Sequence, residues 1–233
     1  MDKDVLQNKV QHLKNKKIME TQNNTAKRVY NLVIVDESGS MSVIHREALA
    51  GINETITTCQ KMQKAHPDME QRITLITFDS NHFKLHYDNI NADEASPLTM
   101  KQYNPCAATP LYDAIGKGIA KMNAQTEADD NVLVTIITDG EENCSEEYNL
   151  KMVKTLIEKL KKQGWTFTLI GTDNLDVEGM AGSMAIDNHL AFTEDKESTA
   201  KMFAKERKSR ERYNMMVCCD CAMPTGSYFD EEA

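Results

Sequence analysis

No hydrophobic run in this chain approaches the ~20 residues that a membrane-crossing helix requires. Basic excess is missing as well: 36 acidic residues outnumber 27 basic ones, for a formal net charge of −9. A diffuse acidic surface argues against nucleic acid and membrane as partners and favours cation capture. Several catalytic signatures are absent too. There is no Gly-x-x-x-x-Gly-Lys-Ser/Thr phosphate loop, no Gly-x-Gly-x-x-Gly after a strand and no Gly-x-Ser-x-Gly elbow. No internal repeat is visible, and no Cys-x-x-Cys lies outside the tail. The start, Met1-Asp2-Lys3-Asp4-Val5, lacks the apolar core of a secretory signal. A cytoplasmic location is therefore the default expectation, and with it six reduced cysteines.

What is present reads as one globular domain with extensions, since 233 residues suffice to bury a core without disulfides. Residues 1–27 form a polar, helix-prone extension with a loose stripe of Val5, Leu6, Val10, Leu13 and Ile18. The apolar runs 28–35 and 132–138 read as parallel strands buried on both faces. Further strands are expected at 72–78, 165–171 and 189–192, and an alternating edge strand at 83–87 returns antiparallel after a short turn. Helical spacing predicts helices over about 43–65, 110–124, 145–163 and 196–215, with a short one at 177–181. Residues 91–109 form a long polar loop, a kind that is often functional. Strands alternating with helices predict an α/β, doubly wound, mostly parallel sheet with helices on both faces.

The chemistry concentrates at strand ends. Asp36, Ser38 and Ser40 form Asp-x-Ser-x-Ser directly after the first strand, where open α/β sheets bind ligands. A carboxylate and two hydroxyls on one turn are hard oxygen donors suited to a hard divalent cation. Thr109 precedes Pro110 at an expected helix start, and Asp139-Gly140 ends the strand 132–138. Taken singly, Ser40, Ser42 and Thr109 also read as helix caps, and Asp139-Gly140 as a turn.

Together these pieces resemble the von Willebrand factor type A family, the integrin inserted-domain fold, over residues 28–215. The resemblance implies six strands in the order 3-2-1-4-5-6 with one antiparallel edge strand. It also implies a metal-ion-dependent adhesion site made by Asp36, Ser38, Ser40, Thr109 and Asp139. In this family Mg2+, or Mn2+ or Ca2+, accepts an Asp or Glu carboxylate from a partner protein, without enzymatic activity. Exchange of Thr109 and Asp139 between direct and water-mediated contact is implied to couple to the last helix. Neutral hydroxyls leave only two negative charges, so such an ion keeps positions for an outside ligand. The chain departs from the pattern at Ala107-Ala108, where glycines are usual, and at Ser42.

Two other classes compete. A Mg2+-dependent phosphoryl-transfer enzyme on a similar sheet would want Asp-x-Asp, but Ser38 holds the second position. A serine nucleophile has only His45 as a nearby candidate base. A structural subunit with an inactive site would not need all five residues. Elsewhere, His82 and His86 straddle the hairpin and read as water-facing, which disfavours zinc. The run 205–212 has mixed sign and reads as a solvated helix face. Residues 216–233 form a Cys-containing acidic tail, with Cys218, Cys219 and Cys221 read as solvated thiols that Cys106 or Cys144 could meet. Asp230, Glu231 and Glu232 offer carboxylates that could reach the ion.

Overall fold

A computed structural model describes residues 27–128, 130–221 and 223–230. The N-terminal extension expected over 1–27 lies outside the described residues apart from Lys27, which opens the first strand. The strands are β1 (Lys27–Asp36), β2 (Met69–Phe78), β3 (Phe83–Asn91), β4 (Asn131–Thr138), β5 (Thr166–Thr172) and β6 (Asn188–Phe192). The helices are α1 (His45–Ala65), α2 (Leu111–Asn123), α3 (Leu150–Lys161), α4 (Val177–Ser183) and α5 (Lys196–Cys218). A 3-10 turn over Gly39–Ile44 leads into α1.

The six strands form one sheet in the order β3-β2-β1-β4-β5-β6. All neighbours are parallel except β3, which returns antiparallel along β2. The winding reverses between β1 and β4, so the ends of these two strands border the crevice where such sheets take ligands. Their register sets Val35 opposite Ile137, which puts Asp36 beside Thr138.

Alternation along β1 builds both layers of the core. Val29, Val33 and Val35 join α1 and α5 on one side, while Tyr30, Leu32 and Ile34 join α2, α3 and α4 on the other. Phe203 of α5 lies so close over Gly51 that a Cβ there would stand 2.2 Å from its ring. The absent side chain is what lets α5 seat on α1.

Three sequence readings change on folding. The face over 205–212 is not uniformly solvated, since Glu206, Ser209 and Arg210 are buried. The Arg210 guanidinium binds Glu206 Oε1 at 2.7 Å and donates to Asn31 and Thr135 from beneath the sheet. The tail does not separate at 216: α5 continues to Cys218, and Tyr228 and Phe229 pack into the core. Arg212 ties this strap down through the carbonyls of Ser227, Tyr228 and Asp230. The 91–109 loop is anchored as well, by buried Ala92, Ala95, Leu98 and Tyr103.

Candidate functional site

The five residues singled out in the sequence converge at the β1–β4 crevice. Asp36 ends β1, fully buried, with Oδ1 accepting from the Ser38 backbone N–H at 2.7 Å and Oδ2 from the Thr138 hydroxyl at 2.6 Å. The turn brings the Ser38 and Ser40 hydroxyls to 3.2 Å from each other, and Ser40 donates to Asp139 Oδ1 at 2.8 Å. Thr109 arrives from the loop before α2. A Cβ built on Gly140 would stand 3.0 Å from Thr109 Oγ1 and 3.8 Å from Asp36 Oδ2, so glycine keeps the floor between them open.

Neither serine nor threonine spends its hydroxyl on a helix cap. The N-cap of the 3-10 turn is Ser38 and that of α2 is Pro110, neither with a side-chain capping bond. Pro110 thus sits one place earlier, relative to its helix, than the sequence reading had it.

Asp139 carries the sharpest signal. It is 4% exposed, and its Oδ2 is enclosed with no hydrogen-bond partner among the described residues. Burial raises its carboxyl to about 7, helped by the charges of Asp36 and Glu194 and opposed by the Ser40 hydrogen bond. Burial likewise raises the Asp36 carboxyl, against hydrogen bonds from Thr138 and Ser38. Burial also pushes the Tyr103 phenol well up, and the charges of Asp36, Asp139 and Glu37 add to it. Two desolvated carboxylates beside an unfilled acceptor are what a divalent cation would relieve. With three hydroxyls nearby and no thiol or imidazole among the five residues, the donor set fits a hard ion.

The structure adds residues that sequence reasoning did not select. Thr138 aligns the Asp36 carboxylate and accepts from the Gly140 N–H at 3.1 Å. Glu37, buried, gathers the Thr77 hydroxyl, the Lys84 ammonium and the Asn104 N–H, and so ties β2, β3 and the long loop to the site turn. Tyr103 donates to the Asp36 carbonyl at 2.9 Å, and Asn143 accepts from the Thr109 N–H at 2.9 Å. Thr138 is polar within an apolar strand, a signal that could have been read; the partners of Glu37 are set only by tertiary packing. Ala107 adopts φ +61°, the left-handed conformation for which glycine is usual, and its carbonyl accepts from the Gly39 N–H at 3.0 Å.

The His45 Nε2 lies 2.7 Å from the Tyr103 carbonyl, so it carries a proton there, and among the described residues no serine hydroxyl is a hydrogen-bond partner of the ring. Nor do the histidines all face water. His86 is half-buried against Thr77, and His82 lies against Asp79, with Cys106 on the other side of that carboxylate. Cys218 meets His66 rather than Cys106 or Cys144. Asp230 is exposed, while Glu231 and Glu232 lie outside the described residues.

No protein-family model matches the chain, and no curated protein matches it in sequence. Its fold is nonetheless shared with solved structures. The von Willebrand factor domain of the type V pili tip protein Mfa5 from Porphyromonas gingivalis superposes with a TM-score of 0.58 at 11% identity, covering 81% of this chain and 96% of that one. The Rpn10 VWA domain gives 0.53 at 8% identity, covering 78% and 95%. The PilB minor pilin from Streptococcus sanguinis gives 0.55 at 12% identity, covering 80% of this chain but only 62% of the pilin. The chain therefore has a von Willebrand factor type A-like α/β fold.

These neighbours also correct the expected location. The fold occurs here in pilus proteins, so the cytoplasmic assignment drawn from the N-terminal residues does not stand.

Proposed function

We propose that the chain is a metal-dependent protein-binding module. Asp36, Ser38, Ser40, Thr109 and Asp139 would hold a divalent ion, Mg2+ or alternatively Mn2+ or Ca2+. When bound, the ion supplies a Lewis-acidic position that a partner protein's Asp or Glu carboxylate completes. The observation that carries this reading is the enclosed Asp139 Oδ2, without a partner among the described residues, beside a second buried carboxylate.

The chain's own groups prepare that position. Thr138 and the Ser38 N–H fix the plane of Asp36, and Ser40 turns Asp139 so that Oδ2 stays unshared. Neutral hydroxyls keep the protein's charge contribution at two, leaving affinity for an outside anion. Just after the Ser40 turn in the chain, Val43 is 67% exposed, and with Met100, 42% exposed, it lines an open groove that also holds Ser42, His45, Arg46, Glu47 and Lys196. Exposed apolar side chains on such a groove suit contact with a protein surface. The folds shared with a pilus tip protein and a minor pilin fit a binding role. Enzymatic readings lack support in the contacts: Ser38 replaces the second carboxylate of a phosphoryl-transfer pair, and among the described residues no hydrogen bond joins His45 to a serine.

Titration calorimetry with Mg2+ and Mn2+ tests the reading. Wild type should bind one ion, and Asp36→Ala and Asp139→Ala should bind none. Equal heats from all three proteins would overturn it.

A further inference from the structure

The turn after β2 and the loop before Thr109 gather a different set of donors. Asp79 Oδ2 lies 3.1 Å from His82 Nδ1 and 3.3 Å from Cys106 Sγ. The ligating atoms of these three residues all lie within 4.8 Å of one another. A tetrahedral ion with bonds of about 2.0–2.3 Å to oxygen, nitrogen and sulfur spaces its ligands by about 3.3–3.8 Å. The three atoms thus need only small adjustments to surround one ion.

The arrangement is built rather than incidental. The Asp79 side chain is 0% exposed, and its Oδ1 is committed to the backbone N–H groups of Asn81 and His82 at 2.6 and 2.9 Å. Those bonds fix the carboxylate, whose Oδ2 faces the thiol and shares the imidazole with Oδ1, 3.2 Å from Nδ1. Cys106 is held in place by its own N–H on the Glu37 carbonyl at 2.8 Å. Next to it, the Ser80 N–H meets the Ala108 carbonyl at 2.9 Å and locks the two segments together. The His82 side chain is 52% exposed, which leaves one side of the cluster open to water.

We propose that Asp79 Oδ2, His82 Nδ1 and Cys106 Sγ form a second metal site, for a borderline divalent ion of the zinc type, with a fourth position open to solvent. A mixed sulfur, nitrogen and oxygen set selects such an ion over Mg2+ or Ca2+. The charges balance: one carboxylate and one thiolate neutralise the dication, and the imidazole stays neutral. As the sulfur–metal bond forms, the Cys106 thiol releases its proton to solvent, and the His82 proton resides on Nε2. No electron is transferred. The site pins the loop that carries Thr109, yet shares no ligand with the oxygen crevice, so it stands or falls independently of the proposed function.

Cobalt is the probe. Chelator-treated full-length protein is titrated with Co2+, and the thiolate-to-cobalt charge-transfer band and the tetrahedral d–d bands are followed. The bands should saturate at one equivalent in wild type, in Asp36→Ala and in the Cys218→Ser, Cys219→Ser, Cys221→Ser triple variant, and Zn2+ should bleach them. Cys106→Ser should lose the charge-transfer band. His82→Gln, at an exposed ring that folding does not need, should weaken binding roughly tenfold or more. A wild type without the bands overturns the proposal. So do bands that survive Cys106→Ser, bands lost in the tail triple variant, or unchanged affinity in His82→Gln.

Discussion

Two buried polar clusters lie on this sheet, and they are finished to different degrees. Beneath it, Arg210 and Glu206 form an ion pair with no solvent exposure to speak of, and the neighbours close the pair off. Asn31 and Thr135 accept from the guanidinium, the Tyr228 hydroxyl donates to Glu206, and Gln71 and Asn214 extend the network. At the strand ends, Asp36 and Asp139 are nearly as deep, yet among the described residues no cationic side chain is a hydrogen-bond partner of either, and Asp139 Oδ2 has no partner. A structural charge carries its counter-charge with it; among the described residues the crevice has none within hydrogen-bond reach.

The comparison can be broken most sharply at Arg210. Arg210→Met would leave Glu206 buried and unpaired, and should cost about 3–5 kcal/mol, read as a lower urea midpoint. Asp36→Ala, which removes one of two repelling carboxylates, should leave the midpoint in chelator unchanged or raised. Equal losses from both variants would erase the distinction.

Acidity gives the next largest effect. The folded Asp139 carboxyl titrates at about 7, against about 3.9 for an unfolded aspartate. In the metal-free protein the folded state therefore holds a proton that the unfolded chain has lost. The resulting stability is complete below pH 4 or so and declines as pH rises towards 7, by at most about 1.4 kcal/mol per pH unit. Urea melts across this range should show the decline in wild type and a smaller one in Asp139→Asn, where the raised Asp36 carboxyl remains, and saturating Mg2+ should remove it.

A smaller change should follow at the crevice floor. Gly140→Ala sets a methyl 3.0 Å from Thr109 Oγ1, so calorimetry should read several-fold weaker ion binding with little change in melting. The least effect is expected at Ala107→Gly, which relieves the left-handed backbone and should stabilise the chain by about 1 kcal/mol or less.

Legibility in the sequence followed how local each cause is. The buried runs of β1 and β4 and the alternation of β3 announce themselves, because parallel strands are apolar on both faces and edge strands are not. Asp36, Ser38 and Ser40 sit within one turn, so their donor chemistry was readable without coordinates. Arg210 was not: Glu206 and Arg210 are spaced as any surface pair on a helix, and only Asn31 and Thr135 above them decide that they are buried. Tyr228 and Phe229 misled for the same reason, since the groove that takes them is made by α5 and the sheet edge. Asp79, His82 and Cys106 come from segments whose contact rests on the Ser80–Ala108 bond, which no spacing reveals.

The strap at Tyr228 has a bearing on biosynthesis. Its hydroxyl reaches Glu206 and its N–H reaches Asn188, so a nascent chain that has not yet delivered residue 228 holds an anion lacking one of its donors. Residue 228 must therefore be free of the ribosome before the last donor to this buried anion is in place.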